Sequence, residues 1–260
     1  MLMTHIVAGY PTMKKCKDLA VLMAESAVDF IEIQIPFSDP VADGPTIMAA
    51  NQVALDSGVK LADCFNLMRE LNDTIDVPLL FMSYFNILHH YGVDRFCKEA
   101  AACGCYGLIV PDMPLDEEPN EGYLAACKKY GLNAIQVVSP LTKDERLKKI
   151  ANVASGFVYC VSRFGTTGGN TKLNDDLAKY LSRVKNYINL PLAVGFGISS
   201  KKDVEMVHKN AEIAVIGSKV ISLINDSKNY ERDVKDFLEF CAGGEGGIRT
   251  PAGTGVPLQV

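Results

Sequence analysis

Residues 30–35 read Phe-Ile-Glu-Ile-Gln-Ile, an apolar run with a single acid in its middle. The run is typical of a buried strand. Side chains alternate between the two faces of a strand, so the three isoleucines point one way while Phe30, Glu32 and Gln34 point the other. Burying a carboxylate without partners costs on the order of several kcal/mol. Glu32 is therefore either a structural acid paired with backbone or a distant cation, or a group that performs chemistry.

Short apolar runs of this kind recur along the chain, each followed by a polar segment of helical period. In the segment 173–188, for example, apolar residues repeat at three- and four-residue steps, which predicts a helix lying on a sheet. The eight predicted strands are residues 4–8, 29–35, 78–82, 106–110, 133–138, 156–161, 191–195 and 212–216.

Alternation of strands and helices implies parallel strands joined by helical crossovers. Eight such units favour a closed (β/α)8 barrel in one domain, residues 1–241. A doubly wound open sheet is the competing architecture, although no Gly-x-Gly-x-x-Gly follows the first strand. We expect residues 242–260, which are rich in glycine and proline, to form a disordered tail.

Composition limits the possible partners. The formal net charge is −5 and no Lys/Arg-rich run is present, which argues against nucleic acid or an anionic membrane as the main partner. Eight cysteines and four histidines show no spacing typical of a metal site, so we interpret the cysteines as packing residues in a reducing compartment. No stretch has the length of a membrane span or the pattern of a signal peptide, which predicts a cytoplasmic protein.

A stiff acidic loop, residues 36–46, follows the Glu32 strand directly. In a parallel barrel this loop lies on the carboxyl-terminal face, where active sites form, so Asp43 can reach over Glu32. Two carboxylates in environments of different polarity are a plausible acid and base pair. On spacing alone, however, Asp43 fits better as the cap of a helix that begins at Pro45.

Three later segments have the composition of a ligand-binding site. Tyr159 on the sixth strand is a candidate catalytic residue, although a packed tyrosine with one hydrogen bond is the commoner case. The loop 164–170 is rich in glycine and threonine, as a lid or an anion cradle requires. Glycine turns at 195–199 and 216–218 follow the last two strands, where barrels of this type bind phosphate, unless the glycines simply form tight turns.

Together these motifs resemble the tryptophan synthase alpha subunit family, from about residue 4 to residue 240. The most specific stretch is 35–46, and the supporting stretches are 4–11, 83–86, 110–114, 162–168 and 195–199. The resemblance implies a (β/α)8 barrel enzyme of tryptophan biosynthesis. It implies retro-aldol cleavage of indole-3-glycerol phosphate to indole and glyceraldehyde 3-phosphate.

The resemblance also assigns roles to individual residues. Glu32 matches the catalytic general acid and base, Asp43 the aspartate that stabilises charge on the indole nitrogen, and Tyr159 a tyrosine beside the catalytic glutamate. The remaining matches are the phosphate-binding Gly168, Gly197, Gly217 and Ser218, the lid residue Thr167, and the pocket-lining Phe196 and Tyr84.

For cofactors and partners, the resemblance implies no metal and no cofactor in this chain. Pyridoxal phosphate is expected in a partner, the beta subunit, within an alpha2beta2 heterotetramer. An alternative is a truncated, weakly active subunit whose main role is to bind and activate the beta subunit. Another barrel enzyme acting on a phosphorylated sugar is disfavoured, because related indole-forming synthases use inward-facing lysines and the predicted strands contain none.

The chain departs from the family pattern at three places. Gln34 stands where glycine is common, so we expect it to touch Glu32 or to narrow the pocket. The lid reaches its basic residue, Lys172, later than is usual, which puts lid closure in question. The first strand is predicted to begin within a few residues of Met1, so we expect a barrel without the usual amino-terminal helix.

Overall fold

Eight parallel strands close into a barrel in which each strand pairs with its neighbours in chain order and the last pairs with the first. The computed structural model describes residues 1–161, 170–195 and 197–243. The strands are β1 (Leu2–Val7), β2 (Phe30–Gln34), β3 (Leu79–Met82), β4 (Gly107–Ile109), β5 (Asn133–Val138), β6 (Val158–Val161), β7 (Leu192–Gly195) and β8 (Ile213–Ile216).

Helices follow the strands on the outside of the barrel. Those in the described residues are α1 (Met13–Glu25), α2 (Pro45–Asp56), α3 (Leu61–Asn72), α4 (Phe85–Tyr91), α5 (Val93–Ala102), α6 (Glu118–Glu121), α7 (Tyr123–Lys129), α8 (Asp144–Ala151), α9 (Asn170–Lys185), α10 (Lys201–His208), α11 (Ser218–Asp226) and α12 (Tyr230–Ala242). None of the helices that the structure describes is long and apolar enough to cross a membrane.

The predicted (β/α)8 barrel is confirmed, and the open doubly wound sheet is excluded because β1 pairs with β8. All eight predicted strands are present. The predicted helix 173–188 begins and ends earlier, as α9. The helix α12 ends at Ala242 and is capped by Gly243 at φ +100°, so it extends one residue past the predicted domain boundary. Residues 244–260 of the predicted tail lie outside the described residues.

The alternation of β2 divides the core into two layers. Ile31 and Ile33 point outward and join the large apolar layer between the strands and the helices. Phe30 points inward and packs against the barrel interior, where Phe157 forms an edge-to-face contact with it. Parallel strands covered on both faces are apolar throughout, which is why a polar residue among them is informative.

Candidate active site

A cavity of about 270 Å³ lies at the carboxyl-terminal ends of the strands, close to the lower end of the range of about 300–1,000 Å³ that is usual for ligand pockets. Its walls combine apolar side chains, two carboxylates and several glycines. The lining residues are His5, Glu32, Ala42, Asp43, Gly44, Ile47, Met82, Ile109, Pro111, Val137, Tyr159, Val161, Gly195, Gly197, Val215, Gly217 and Ser218.

Glu32 lies on the inner face of the barrel and is only 3% exposed. Its partner is His5, which stands opposite it in the register of β1 and β2 and therefore points to the same face. His5 Nδ1 lies 3.4 Å from Glu32 Oε1. The other carboxylate oxygen, Oε2, and His5 Nε2 are buried and have no hydrogen-bond partner among the described residues. The sequence left open a structural pairing of Glu32 with a cation from elsewhere in the chain, and His5 is such a partner when it is protonated.

His5 is a site residue that the sequence motifs did not single out. Burial lowers its pKa, but the Glu32 carboxylate beside it and the more distant Asp43 outweigh that effect, so the pKa of His5 lies above its ordinary value. A signal for His5 was present in the sequence. It is a titratable residue in an apolar strand that runs beside the strand carrying the buried acid.

Asp43 reaches into the cavity from the loop between β2 and α2. Its Oδ2 accepts hydrogen bonds from Gln34 Nε2 at 2.6 Å and from the Tyr84 hydroxyl at 3.1 Å. The residue at the amino-terminal cap of α2 is Gly44, and no side chain caps that helix. The interpretation of Asp43 as a helix cap was therefore wrong, because both side chains that hold its carboxylate lie on the barrel side.

Burial raises the pKa of the Asp43 carboxyl group. The hydrogen bond from Gln34, the positive charge available at His5 and the hydrogen bond from Tyr84 all act against that shift, while Glu32 adds to it. Asp43 thus has donors that stabilise its ionised form inside a partly buried loop. These donors suit a carboxylate that must carry charge near a ligand.

Gln34 is fully buried and contacts the acidic loop. Besides its bond to Asp43, its Nε2 lies 3.4 Å from Asn51 Oδ1, and the same Asn51 oxygen accepts a bond from the Phe37 backbone N–H at 3.1 Å. The hydrogen bonds of this amide thus go to the loop and to α2. Its oxygen, Oε1, has no partner in the described part of the chain.

Tyr84 is completely buried and does not line the cavity. Its hydroxyl donates to Asp43 and accepts a hydrogen bond from the Ala42 backbone N–H at 3.0 Å. Burial and the nearby Asp43 raise the pKa of Tyr84, which keeps the phenol protonated and able to donate. The structure therefore places Tyr84 behind Asp43, as a support for the loop.

Tyr159 points inward from β6 and lines the cavity. Burial, together with the Glu32 and Asp43 carboxylates, raises its pKa well above the ordinary value, so the phenol keeps its proton at neutral pH. The ring crosses β7 at Gly195. A Cβ atom at that glycine would lie 2.7 Å from the Tyr159 hydroxyl oxygen, so the absence of a side chain there creates the space for the phenol.

Glycine turns after β7 and β8 form another part of the cavity wall. Gly197 adopts φ +76°, a conformation that favours glycine. Gly217 is the amino-terminal cap residue of α11, and Ser218 is the first residue of that helix. Both line the cavity, so the amino terminus of a nine-residue helix faces it. Backbone N–H groups at such a terminus favour anions.

Three predicted site residues, Thr167, Gly168 and Phe196, lie outside the described residues. The structure places the other predicted site residues around one cavity, except Tyr84, which lies behind Asp43. Those that line the cavity are Glu32, Asp43, Tyr159, Gly197, Gly217 and Ser218. In the part of the chain that the structure describes, no group of three or more His, Cys, Asp or Glu side chains is arranged to hold a metal ion.

Comparison with known proteins identifies one family. A family model described as tryptophan synthase alpha chain matches residues 1–247. The tryptophan synthase alpha chain of Desulfotalea psychrophila is 45% identical over 227 residues, which cover 87% of this chain and 89% of the relative.

Solved structures agree with that relationship. The crystal structure of tryptophan synthase subunit alpha from Legionella pneumophila superposes with a TM-score of 0.86 at 30% identity, covering 94% of this chain and 91% of that one. A crystal structure of tryptophan synthase from M. tuberculosis superposes with a TM-score of 0.84 at 28% identity, covering 93% and 90% of the two chains.

Proposed function

Because this chain belongs to the tryptophan synthase alpha chain family, we propose that its cavity binds indole-3-glycerol phosphate and that Glu32 and Asp43 cleave it to indole and glyceraldehyde 3-phosphate. The observation that carries the proposal is the position of Glu32. It is a buried carboxyl group with an oxygen that has no partner among the described residues, and it shares a cavity with a second, well-anchored carboxylate.

The chain has the alpha-subunit role in tryptophan biosynthesis and is a carbon–carbon lyase. The alternative of a subunit that mainly activates a partner is not favoured, because the match spans residues 1–247 and 89% of the relative from D. psychrophila.

Cleavage begins with a proton. The bond between the indole ring and the glycerol chain breaks only after the ring carbon that carries the chain is protonated, which places positive charge on the ring nitrogen. Glu32, as the acid, gives that proton. The Asp43 carboxylate accepts the N–H of the ring and offsets the charge. Tyr159, whose raised pKa keeps it protonated, lines the same cavity as a hydrogen-bond donor.

Breaking of the carbon–carbon bond supplies Glu32 with a new proton from the substrate. The Glu32 carboxylate takes the proton of the hydroxyl group next to the breaking bond, and the O–H electrons form the aldehyde. The electrons of the carbon–carbon bond return to the ring and neutralise the nitrogen. Glu32 ends protonated, indole keeps the proton first given, and no redox cofactor is needed.

The phosphate group belongs at the glycine turns. Gly217 and Ser218 at the start of α11 face the cavity with the helix amino terminus, and Gly197, after the neighbouring strand β7, allows close approach of a ligand. We assign Gly168 to the same phosphate site, Thr167 to a lid contact with Asp43 and Phe196 to the pocket wall on the resemblance alone. With the phosphate fixed there, the indole ring reaches the apolar side chains near Glu32.

We also propose the setting in which the chain works. It forms an alpha2beta2 complex with a beta subunit that holds pyridoxal phosphate and consumes the indole. The complex is cytoplasmic, in agreement with eight cysteines that are all free and buried.

The test is indole release from indole-3-glycerol phosphate by Glu32→Gln. Loss of a general acid and base is expected to lower kcat by about 10²–10⁴-fold. Glu25→Gln, an exposed acid at the end of α1, is the matched control and retains activity. Substrate should still raise the thermal midpoint of Glu32→Gln through binding. Undiminished activity of Glu32→Gln would overturn the role of Glu32, and a chain that releases no indole at all would overturn the substrate.

A further inference from the structure

We propose that His5 is the positioning residue that shares the catalytic proton with Glu32, so that the pair, and not the glutamate alone, is the proton reservoir of the reaction. The inference rests on the proposed function of Glu32 and extends it to a second residue. It arises from the geometry of two adjacent strands.

The register of β1 and β2 brings the side chains of His5 and Glu32 into contact. His5 and Glu32 are directly opposite in the parallel ladder, so their side chains leave the sheet on the same side. Both are at most 5% exposed. His5 Nδ1 and Glu32 Oε1 are 3.4 Å apart, and no Lys or Arg of the described residues lies within ion-pair distance of Glu32.

The need to balance charge inside the barrel limits how many titratable protons His5 and Glu32 hold together. A doubly deprotonated pair would leave a buried carboxylate without a cation. A doubly protonated pair would leave a buried imidazolium with only the more distant Asp43 as its anion. Both states are costly in an apolar barrel. The favoured state has one proton for the two side chains. That proton lies on Nδ1 of His5, facing an ionised Glu32, or on Glu32, facing a neutral imidazole.

The reaction uses that single proton. When Glu32 protonates the ring carbon, its unpartnered Oε2 is available to the substrate while Oε1 remains beside His5. A proton that rests on His5 first passes to Glu32, and Glu32 then gives that same proton to the ring carbon, which leaves the pair without it until the substrate hydroxyl supplies one. The hydroxyl proton of the substrate later returns to Glu32, so the pair ends with the one proton it started with.

The surroundings of His5 support this role. The polar groups that face it are Glu32 and Gln34 from β2 and Asp43 from the following loop. Gly217 lies on its other side, where an added Cβ would approach the His5 Cβ to 3.4 Å. His5 thus sits between the two carboxylates and the glycine turn, and its Nε2 has no partner among the described residues.

The first test is the pH dependence of kcat/KM for indole release in His5→Asn. Asparagine keeps a hydrogen-bond donor but holds no additional proton. Without His5 the pair can no longer hold its proton on the imidazole, so the alkaline limb of the profile should move down by about one pH unit, with about a tenfold loss of activity at its alkaline end. His90→Asn, an exposed histidine near the end of α4, is the matched control and leaves the profile unchanged. An equal loss at every pH, or no change, would overturn the proposal.

The second test needs no activity and therefore separates this inference from the proposed substrate. The imidazole carbon resonances of the four histidines are titrated by NMR in the full chain, and His5 is assigned from its absence in His5→Asn. We expect the midpoint of His5 to lie above the ordinary value near 6.5 and to fall in Glu32→Gln. A midpoint that is the same in both proteins would show that the two residues do not share a proton.

Discussion

Gln34 shows how one side chain fixes the charge of another. Its amide donates at 2.6 Å to Asp43 from the carboxyl-terminal end of β2, and Asn51 lies against the same nitrogen. A hydrogen bond to a charged group contributes about 1.5–3 kcal/mol. Gln34 therefore acts on the reaction through Asp43, although it does not line the cavity itself.

We predict that Gln34→Ala lowers kcat for indole release by about 10- to 100-fold, since each 1.4 kcal/mol of lost transition-state stabilisation is a factor of ten. The bond from Gln34 acts against the burial that raises the pKa of Asp43, so its loss raises that pKa further. Asp43 then becomes protonated at higher pH, and the acid limb of the kcat profile moves up. Gln52→Ala, on the exposed side of α2, is the control; an acid limb that stays in place in Gln34→Ala would contradict the prediction.

The sequence predicts the place of some residues in the site better than that of others. Glu32 is evident because a carboxylate in an apolar run needs an explanation. Asp43 is ambiguous, since its spacing also fits a helix cap, and only the positions of Gln34 and Tyr84 decide its orientation. The contact of His5 depends on the register between two strands, and the order of residues along one strand carries no information about that register.

Two neighbouring elements, β6 and β7, fit each other in side-chain size where the Tyr159 ring crosses Gly195. Tyr159 is a large side chain on β6, and β7 accommodates it by carrying Gly195 where the ring crosses. Small residues facing large ones allow a barrel interior to fill without strain. The size of one residue on each strand therefore determines where the phenol lies in the cavity.

We predict that Gly195→Ala displaces Tyr159 and reduces both stability and activity. The new Cβ would lie 2.7 Å from the hydroxyl oxygen and 3.1 Å from Cε1. Overpacking of this kind costs about 1–3 kcal/mol, and a protein of this size loses about 2–4 °C of melting temperature per kcal/mol.

The double variant Gly195→Ala with Tyr159→Phe separates the two effects. It removes the closest contact, so it should recover part of the melting temperature but none of the activity that depends on the phenol. Thermal melts and indole release are measured on Gly195→Ala, on Tyr159→Phe and on the double variant. A single Gly195→Ala variant with unchanged melting temperature would show that the ring has room to move.

The elements were predicted better than their ends. All eight strands were found because buried parallel strands are apolar along their whole length. Their bounds were less certain, because the apolar run continues into turns, as at 29–35, where the strand is Phe30–Gln34. The predicted helix 173–188 is displaced from Asn170–Lys185 for a similar reason, since apolar periodicity marks the buried face of a helix and not its first residue.

At the scale of the whole molecule, the two ends of the barrel differ in the apolar surface they expose. On the carboxyl-terminal face, loops after strands carry Val41, 75% exposed, and Leu141, 90% exposed. A side chain of this size at such exposure is a candidate interface anchor. The face that contains the cavity is also the face from which indole must leave, so we expect the beta subunit to bind there.

We predict that Leu141→Asp weakens binding of the beta subunit while indole release by the isolated chain is retained. Burying a leucine contributes about 1.5–3 kcal/mol, which corresponds to about a 10- to 100-fold change in Kd. The matched control is Val153→Asp, which follows the carboxyl-terminal end of α8 and therefore lies at the opposite end of the same strand–helix unit, because the helices run antiparallel to the strands. Calorimetric titration with the beta subunit measures both. If Val153→Asp weakened binding and Leu141→Asp did not, the partner would bind the other end of the barrel, and indole would have to reach it from the far side.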